Sequence, residues 1–102
     1  MPQYIYVING GIFALRKYII GTTNNLQDKL ESLKPYYGNN FTCYYVESQD
    51  INSDFPKFEQ AIGRYGTKLY ENIYTSRLNQ IRNDIKNITG NKLKKWKLPD
   101  DF

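Results

Sequence analysis

The residues of this chain that could do chemistry are mainly tyrosines, of which Tyr4 and Tyr6 stand two positions apart near its start. Residues i and i+2 of a strand share one face, so both phenols would line one side of a sheet, with Ile5 and Val7 on the other. The chain has no histidine and a single cysteine, Cys43. Histidine-dependent nucleophilic catalysis and a Cys/His zinc site are therefore excluded. A general base would have to be a carboxylate, a lysine, a tyrosine or a metal-bound water.

A second candidate region is the basic segment 77–97, which contains seven cations and a single carboxylate, that of Asp84. The basic residues are Arg77, Arg82, Lys86, Lys92, Lys94, Lys95 and Lys97. Such a segment attracts phosphate backbones through counterion release, and Trp96, which stands among the lysines, could stack on an unpaired base. These eight residues are the predicted nucleic-acid contacts. The alternative, which stays open, is a solvated helix face and a tail whose Leu93, Trp96 and Leu98 fold back on the core.

The elements that must position these residues follow from hydrophobic patterning. Strand-forming runs with turn residues between them occupy residues 4–8, 12–20 and 41–46. Helical spacing with capping or breaking residues predicts a helix from Leu26 that stops at Pro35, one from Asp54 to Gly66 and one from Thr75 or Ser76 to Gly90. Residues 68–74 are ambiguous between an extended loop and a short strand.

The order strand, strand, helix, strand, helix, helix predicts an α+β fold. We expect a small, mainly antiparallel sheet of three strands, flanked by helices. A chain of 102 residues is the size of one domain. Residues 1–90 are predicted to form this domain, and residues 91–102 a basic C-terminal tail.

Four short motifs along this order of elements carry a resemblance to a known family. They are Tyr4-Ile5-Tyr6, Tyr18-Ile19-Ile20-Gly21, Thr22-Thr23-Asn24-Asn25-Leu26 and Glu59 in the helix after the third strand. In these motifs and their order the chain resembles the GIY-YIG nuclease superfamily, in particular its compact branch from phages and large DNA viruses. The resemblance covers residues 1–75.

The resemblance implies a metal-dependent DNA endonuclease that hydrolyses phosphodiester bonds with Mg²⁺ or Mn²⁺. It implies that Tyr6 and Tyr18 position the attacking water, that Lys29 steadies the phosphate and that Glu59 binds the metal, with Glu71 in reserve. Such a hydrolysis needs a positioned water, a cation on the non-bridging oxygens and a metal or acid at the leaving oxygen. A single carboxylate is chemically adequate for Mg²⁺, because water completes its coordination shell.

The chain departs from the family's pattern at three positions. Ile19 occupies the usual tyrosine position before Gly21, and an offset of one residue turns Tyr18 to the opposite face of its strand unless a bulge restores its direction. Lys29 occupies the arginine position, where it keeps the charge but loses the bidentate fork. Tyr4 replaces the glycine of the first motif. Two functions therefore stay open: an endonuclease of full or weak activity, or a degenerate relative that serves as a nucleic-acid-binding, viral structural or host-interaction module.

Composition bounds the location and the partners. The N-terminus lacks a signal pattern, and no apolar run approaches the roughly 18 residues of a membrane span. We therefore expect an intracellular protein, cytoplasmic or nuclear, without a membrane span. Tyr, Asn, Ile and Lys supply 42 of the 102 residues, and their AT-rich codons favour a low-GC genome such as that of a virus. The expected partners are nucleic acid, with DNA first, and a protein that delivers the domain to its target.

Overall fold

The computed structural model describes residues 3–10, 18–37, 41–69, 72–75 and 77–96. These residues form three helices and six strands. In chain order the elements are β1 (Gln3–Gly10), β2 (Tyr18–Thr23), α1 (Leu26–Tyr37), β3 (Phe41–Ser48), α2 (Ile51–Ile62), β4 (Thr67–Leu69), β5 (Asn72–Thr75), α3 (Leu78–Thr89) and β6 (Lys94–Trp96).

The six strands form one antiparallel sheet in the order β4-β5-β2-β1-β3-β6. β1 lies at its centre and pairs with β3 along its whole length, from Gln3 opposite Ser48 to Gly10 opposite Phe41. The predicted α+β class is confirmed, but the predicted count of three strands is wrong. The ambiguous segment 68–74 contributes to β4 and β5, and residues 94–96 of the predicted tail form the edge strand β6.

The helices cover both faces of the sheet. α1 packs on one face, which we call the α1 face, and α2 and α3 pack side by side on the other, the α2–α3 face. The strict alternation of β1 divides its side chains between the two. The buried cluster on the α1 face consists of Tyr6, Ile8, Leu26, Leu30 and Cys43. The buried cluster on the α2–α3 face consists of Ile5, Val7, Ile20, Val46, Phe58, Ile62, Ile81 and Ile85.

The starts of α1 and α2 compare differently with their predicted caps. The Asn25 side chain accepts a hydrogen bond from the backbone N–H of Asp28 at 3.1 Å, which caps α1 as its sequence predicts. The predicted start of α2 at Asp54 is wrong, because α2 begins three residues earlier, at Ile51. The Asp54 carboxylate instead accepts a hydrogen bond from the Ser48 hydroxyl at 2.6 Å and so ties α2 to the end of β3.

Three helix ends test the predicted stop signals. α1 continues through Pro35 and ends two residues later, at Tyr37, so the predicted stop at Pro35 is wrong. α2 ends at Ile62, four residues before the predicted stop at Gly66. α3 ends as predicted before Gly90, which adopts the left-handed conformation with φ of 77° and donates its N–H to the carbonyl of Lys86 at 2.9 Å.

Some predictions concern residues outside the described ranges. They include the first part of the predicted second strand, at residues 12–15, together with Glu71, Ser76 and Lys97. Within the described ranges, no helix is both long enough and apolar enough to cross a membrane.

Candidate functional site

Tyr6 and Lys29, two of the predicted site residues, lie together on the α1 face. Tyr6 projects from the central strand into the cluster under α1 and is 6% exposed. Lys29 belongs to α1 and is half-buried. Its ammonium nitrogen lies 5.8 Å from the centroid of the Tyr6 ring, which is within the range of a cation–π contact. We call these two residues the Tyr6–Lys29 pair.

The Tyr6 ring packs directly against the backbone of Gly21. The register of β1 and β2 places Gly21 directly opposite Tyr6. A Cβ atom at this position would lie 2.5 Å from Cζ of the phenol and would overlap its hydroxyl group. The glycine of the Tyr18-Ile19-Ile20-Gly21 motif is therefore needed for close packing. This packing also buries Tyr6 more deeply than suits a phenol that orients water against a bulky phosphodiester.

Tyr18 lies on the other face of the sheet from Tyr6. The ladder between β1 and β2 runs without interruption from Tyr4–Thr23 to Ile8–Ile19, so no bulge restores its direction. Tyr18 packs against the α2–α3 cluster, with its ring 6.4 Å from that of Tyr44. Burial raises the pKa of its hydroxyl, Tyr44 adds to the rise and the positive charge of Arg82 opposes it. Tyr6 and Tyr18 therefore do not face a common water molecule.

Glu59, the predicted metal ligand, is carried by the helix layer opposite the Tyr6–Lys29 pair. α2 packs on the α2–α3 face through Phe58 and Ile62. The Glu59 side chain is half-buried and already interacts with other groups of the protein. Across the described ranges, no three His, Cys, Asp or Glu side chains are grouped so that they could hold a metal ion. The helix that carries Glu59 and the Tyr6–Lys29 pair therefore lie on opposite faces of the sheet.

Three of the predicted nucleic-acid contacts surround Tyr44 on the α2–α3 face. The Arg82 guanidinium carbon lies 5.4 Å from the centroid of the Tyr44 ring. Lys86 follows one helical turn later on the same flank of α3, because residues four apart share a face. Lys95 of β6 pairs with Tyr44 across the strands, so its side chain projects from the same face of the sheet. We call Arg82, Lys86 and Lys95, all of which are exposed, the Tyr44 patch.

Arg77 lies apart from the Tyr44 patch, on the flank of α3 that faces α2. On that flank the Tyr65 hydroxyl donates a hydrogen bond to the Asp84 carboxylate at 2.7 Å. Burial is the main cause that raises the pKa of Tyr65, the hydrogen bond to Asp84 adds to it, and the charge of Arg77 opposes it. Arg77 therefore sits in the field of the one carboxylate of α3, whereas Arg82 and Lys86 lie on the opposite flank.

Lys92 and Lys94 line a cleft of about 320 Å³ beside the strands β3 and β6. We call it the β3–β6 cleft; its walls include Tyr4, Tyr45, Glu47, Asn91, Lys92 and Lys94. The Asn91 amide donates a hydrogen bond to the backbone carbonyl of Glu47 at 3.3 Å, which attaches the end of α3 to the cleft. The two lysines and Glu47 are exposed, and the two tyrosines are half-buried.

Trp96 packs against the body of the domain. Its ring meets that of Tyr45 edge to face, with centroids 5.5 Å apart. Its indole nitrogen is buried, and among the described residues it has no hydrogen-bond partner. Leu93 likewise packs against the α2–α3 cluster. Trp96 and Leu93 therefore fold back on the core, which is the alternative to an exposed basic tail.

Cys43 is an inert core residue, as its position in a strand among aromatic residues predicts. It is fully buried, and its pairing with Trp96 places β6 against it. Burial raises the pKa of its thiol to about 12. The reactive thiolate is therefore scarce at neutral pH.

The β3–β6 cleft is the feature that sequence reasoning missed. The alternation of β3 predicts that Tyr45 and Glu47 share a face, and the spacing of Tyr4 and Tyr6 predicts a tyrosine-lined face on β1. What the sequence lacks is a signal that joins them. The register that places Tyr4 opposite Glu47, and Lys94 opposite Tyr45, comes from long-range strand pairing.

The chain was also compared with known proteins. No family model matches it, no curated protein is significantly similar to it in sequence, and no solved structure is significantly similar to it in fold.

Proposed function

We propose that this protein is a nucleic-acid-binding module that holds the phosphate backbone through cations of its third helix and edge strand, and that it does not carry out GIY-YIG-type hydrolysis. The observation that carries this proposal is the Tyr44 patch. Arg82 lies over the half-buried Tyr44 ring, Lys86 follows one turn later in α3, and Lys95 is paired with Tyr44 across the strands; all three cations are exposed.

The charge of this patch is available to an outside partner. Asp84 is the one acidic residue of α3, and it lies roughly 200° around the helix from Arg82. Its carboxylate accepts hydrogen bonds from Tyr65 and Gln80. The contact with Tyr44 restrains the Arg82 guanidinium without neutralising it, because an aromatic ring attracts a cation only through its quadrupole. A restrained cation loses less conformational entropy when it meets a phosphate.

The positions of the predicted catalytic residues support binding rather than hydrolysis. Tyr6 is 6% exposed, Tyr18 projects from the opposite face, and Glu59 belongs to the α2 layer. Hydrolysis of a phosphodiester requires a water, a phosphate-binding cation and a metal or acid to meet at one point. Tyr6, Tyr18 and Glu59 are instead distributed over both layers of the domain, which argues against such a meeting point.

The contact between Tyr6 and Lys29 favours a metal-dependent DNA endonuclease as a second candidate. It brings together a phenol and a cation that the GIY-YIG resemblance predicts at one site. The resemblance would then call for Mg²⁺ or Mn²⁺ as the cofactor. For this candidate a carboxylate would also have to reach the Tyr6–Lys29 pair.

A single experiment separates the two candidates. The protein and its Glu59→Ala variant are incubated with supercoiled plasmid and Mg²⁺ or Mn²⁺, with an EDTA control, and the same samples are tested for DNA binding at two salt concentrations. Salt-sensitive binding without nicking is the expected result. Metal-dependent nicking that Glu59→Ala abolishes would establish the endonuclease instead. Absence of both binding and nicking would reject both candidates and point to a protein partner.

A further inference from the structure

We infer that the β3–β6 cleft receives an unpaired nucleobase, so that the protein binds single-stranded nucleic acid more tightly than duplex and prefers cytosine to thymine. This inference rests on the proposed nucleic-acid-binding function and assigns a second site to it. The cleft lies at the junction of β1, β3 and β6, and it is separate from the Tyr44 patch, which faces the other side of the sheet.

Two aromatic rings form part of the wall of the cleft. The rings of Tyr4 and Tyr45 meet edge to face, with centroids 6.1 Å apart and planes at 71°. Trp96 packs against Tyr45 from the next strand, which holds the Tyr45 ring in place. Fixed and partly exposed rings of this kind offer stacking surfaces for bases, which every base can use because every base has a π-face.

The size of the cleft favours a single nucleotide unit. Its volume of about 320 Å³ is at the lower end of the range for small-molecule sites, about 300–1,000 Å³. In a duplex the bases are stacked and paired, and they cannot enter such a cleft unless they are extruded from the stack. Duplex DNA is therefore left with the cations as its only contacts.

The positive and negative charges at the cleft would bind different parts of a nucleotide, the phosphate and the base. Lys92 and Lys94 are exposed cations that can hold a phosphate beside the cleft. Glu47 is an exposed carboxylate that stands opposite Tyr4 in the strand pairing. A carboxylate repels phosphate but accepts hydrogen bonds from amino groups, as it does from N4 of cytosine. Thymine presents a carbonyl oxygen at the equivalent position, so a carboxylate placed to accept from N4 of cytosine meets an acceptor there instead of a donor.

The test uses fluorescence anisotropy with labelled oligomers of deoxycytidine and thymidine, both single-stranded and of equal length, and a duplex of that length. Oligocytidine RNA is included to distinguish DNA from RNA as the natural source. We expect the cytidine oligomer to bind about fivefold more tightly than the thymidine oligomer, the lower limit for one base-edge contact, because Glu47 is exposed to solvent. Equal or tighter binding of the RNA oligomer would support the same inference and assign the source.

Three variants and a control locate the effect. Glu47→Gln keeps the shape of an exposed side chain and should remove the preference for cytidine while it tightens the binding of thymidine, because a charge that repels phosphate is lost. Tyr4→Leu should weaken both single-stranded oligomers at least fivefold, and Tyr4→Phe should restore most of this loss because the ring returns. Glu31→Gln, on the exposed surface of α1, is the control for the loss of a carboxylate.

The outcomes separate this inference from the proposed function. If the duplex binds as tightly as the single strands, the cleft does not receive a base. If cytidine and thymidine bind equally to the unaltered protein, Glu47 does not select the base. Either result overturns the inference and leaves only the proposed function. If neither the duplex nor the single strands bind, the proposed function fails as well. An unchanged cytidine preference in Glu47→Gln would also overturn the assignment.

Discussion

Neutralising the Tyr44 patch should flatten the salt dependence of DNA binding. The double variant Arg82→Gln/Lys86→Gln removes two of the three cations of the patch and retains most of the length of each side chain. Both residues are exposed on α3, away from the buried stripe that contains Ile81 and Ile85. The fold should therefore survive the change.

The size of the effect follows from the number of phosphates contacted. Each phosphate neutralised on duplex DNA contributes about −0.9 to the slope of log K against log salt. With one phosphate for each cation of the patch, the unaltered protein should have a slope of about −2.7 and the double variant about −0.9. Between 50 and 200 mM salt the affinity should then fall about 40-fold for the unaltered protein and about 3.5-fold for the variant.

The assay is a duplex-binding titration at several salt concentrations, with Lys57→Gln/Arg64→Gln as the matched control. The control removes the same two charges from exposed positions in α2 and the turn that follows it, and its slope should stay near that of the unaltered protein. Loss of the contact between Arg82 and Tyr44 should cost about 0.5–1 kcal/mol of stability, which thermal unfolding measures separately. An unchanged slope in the patch variant, or an equal change in the control, would refute the assignment of binding to this patch.

Three further predictions concern the body of the domain. Gly21→Ala should lower the free energy of unfolding by about 2 kcal/mol, the cost of an overpacked core. In a Tyr6→Leu background the loss should be smaller, because the ring that the new Cβ would meet is gone. Denaturant titration of the unaltered protein, the two single variants and the double variant measures both losses. Cys43 should resist a thiol reagent at pH 8 until the protein unfolds, because burial raises its pKa to about 12; rapid labelling of the folded protein would contradict this. Tyr65→Phe should cost about 1 kcal/mol near neutral pH by removing the hydrogen bond to Asp84. The pKa of Tyr65 is raised in the folded protein. The stability that the protonated Tyr65 hydroxyl gives the fold is therefore present below about pH 10 and is lost as the pH rises further. The difference in free energy of unfolding between Tyr65→Phe and the unaltered protein should accordingly shrink at alkaline pH.

Much of the fold could be predicted from local pattern, because the pattern and the packing agree there. The apolar runs of β1 and β3 and the leucine spacing of α1 each form the predicted type of element. The offset of one residue at Tyr18 predicted its face from strand periodicity alone. Such predictions succeed because the side-chain period fixes the direction of a residue as soon as its element is known.

The rest depended on tertiary contacts that no local pattern contains. β6 is the sequence Lys94-Lys95-Trp96, which has no apolar alternation, and it becomes a strand because the edge of β3 is available for pairing. Asp54 has the residue type of a helix cap, but it lies inside α2, where its carboxylate accepts a hydrogen bond from Ser48. In both cases the long-range contact is made with β3, most of which local pattern had already identified.

The same edge of β3 links the fold to the proposed function. Tyr44 and Tyr45 are neighbours in β3 and therefore project to opposite faces, with Tyr44 beneath Arg82 and Tyr45 beside Lys94. The pairing of β6 adds one lysine to each face, since Lys94 and Lys95 alternate in the same way. A three-residue strand thus supplies cations to both the Tyr44 patch and the β3–β6 cleft. Mutations that detach β6 should weaken duplex and single-strand binding together, whereas changes at Arg82 or at Glu47 should affect one of them at a time.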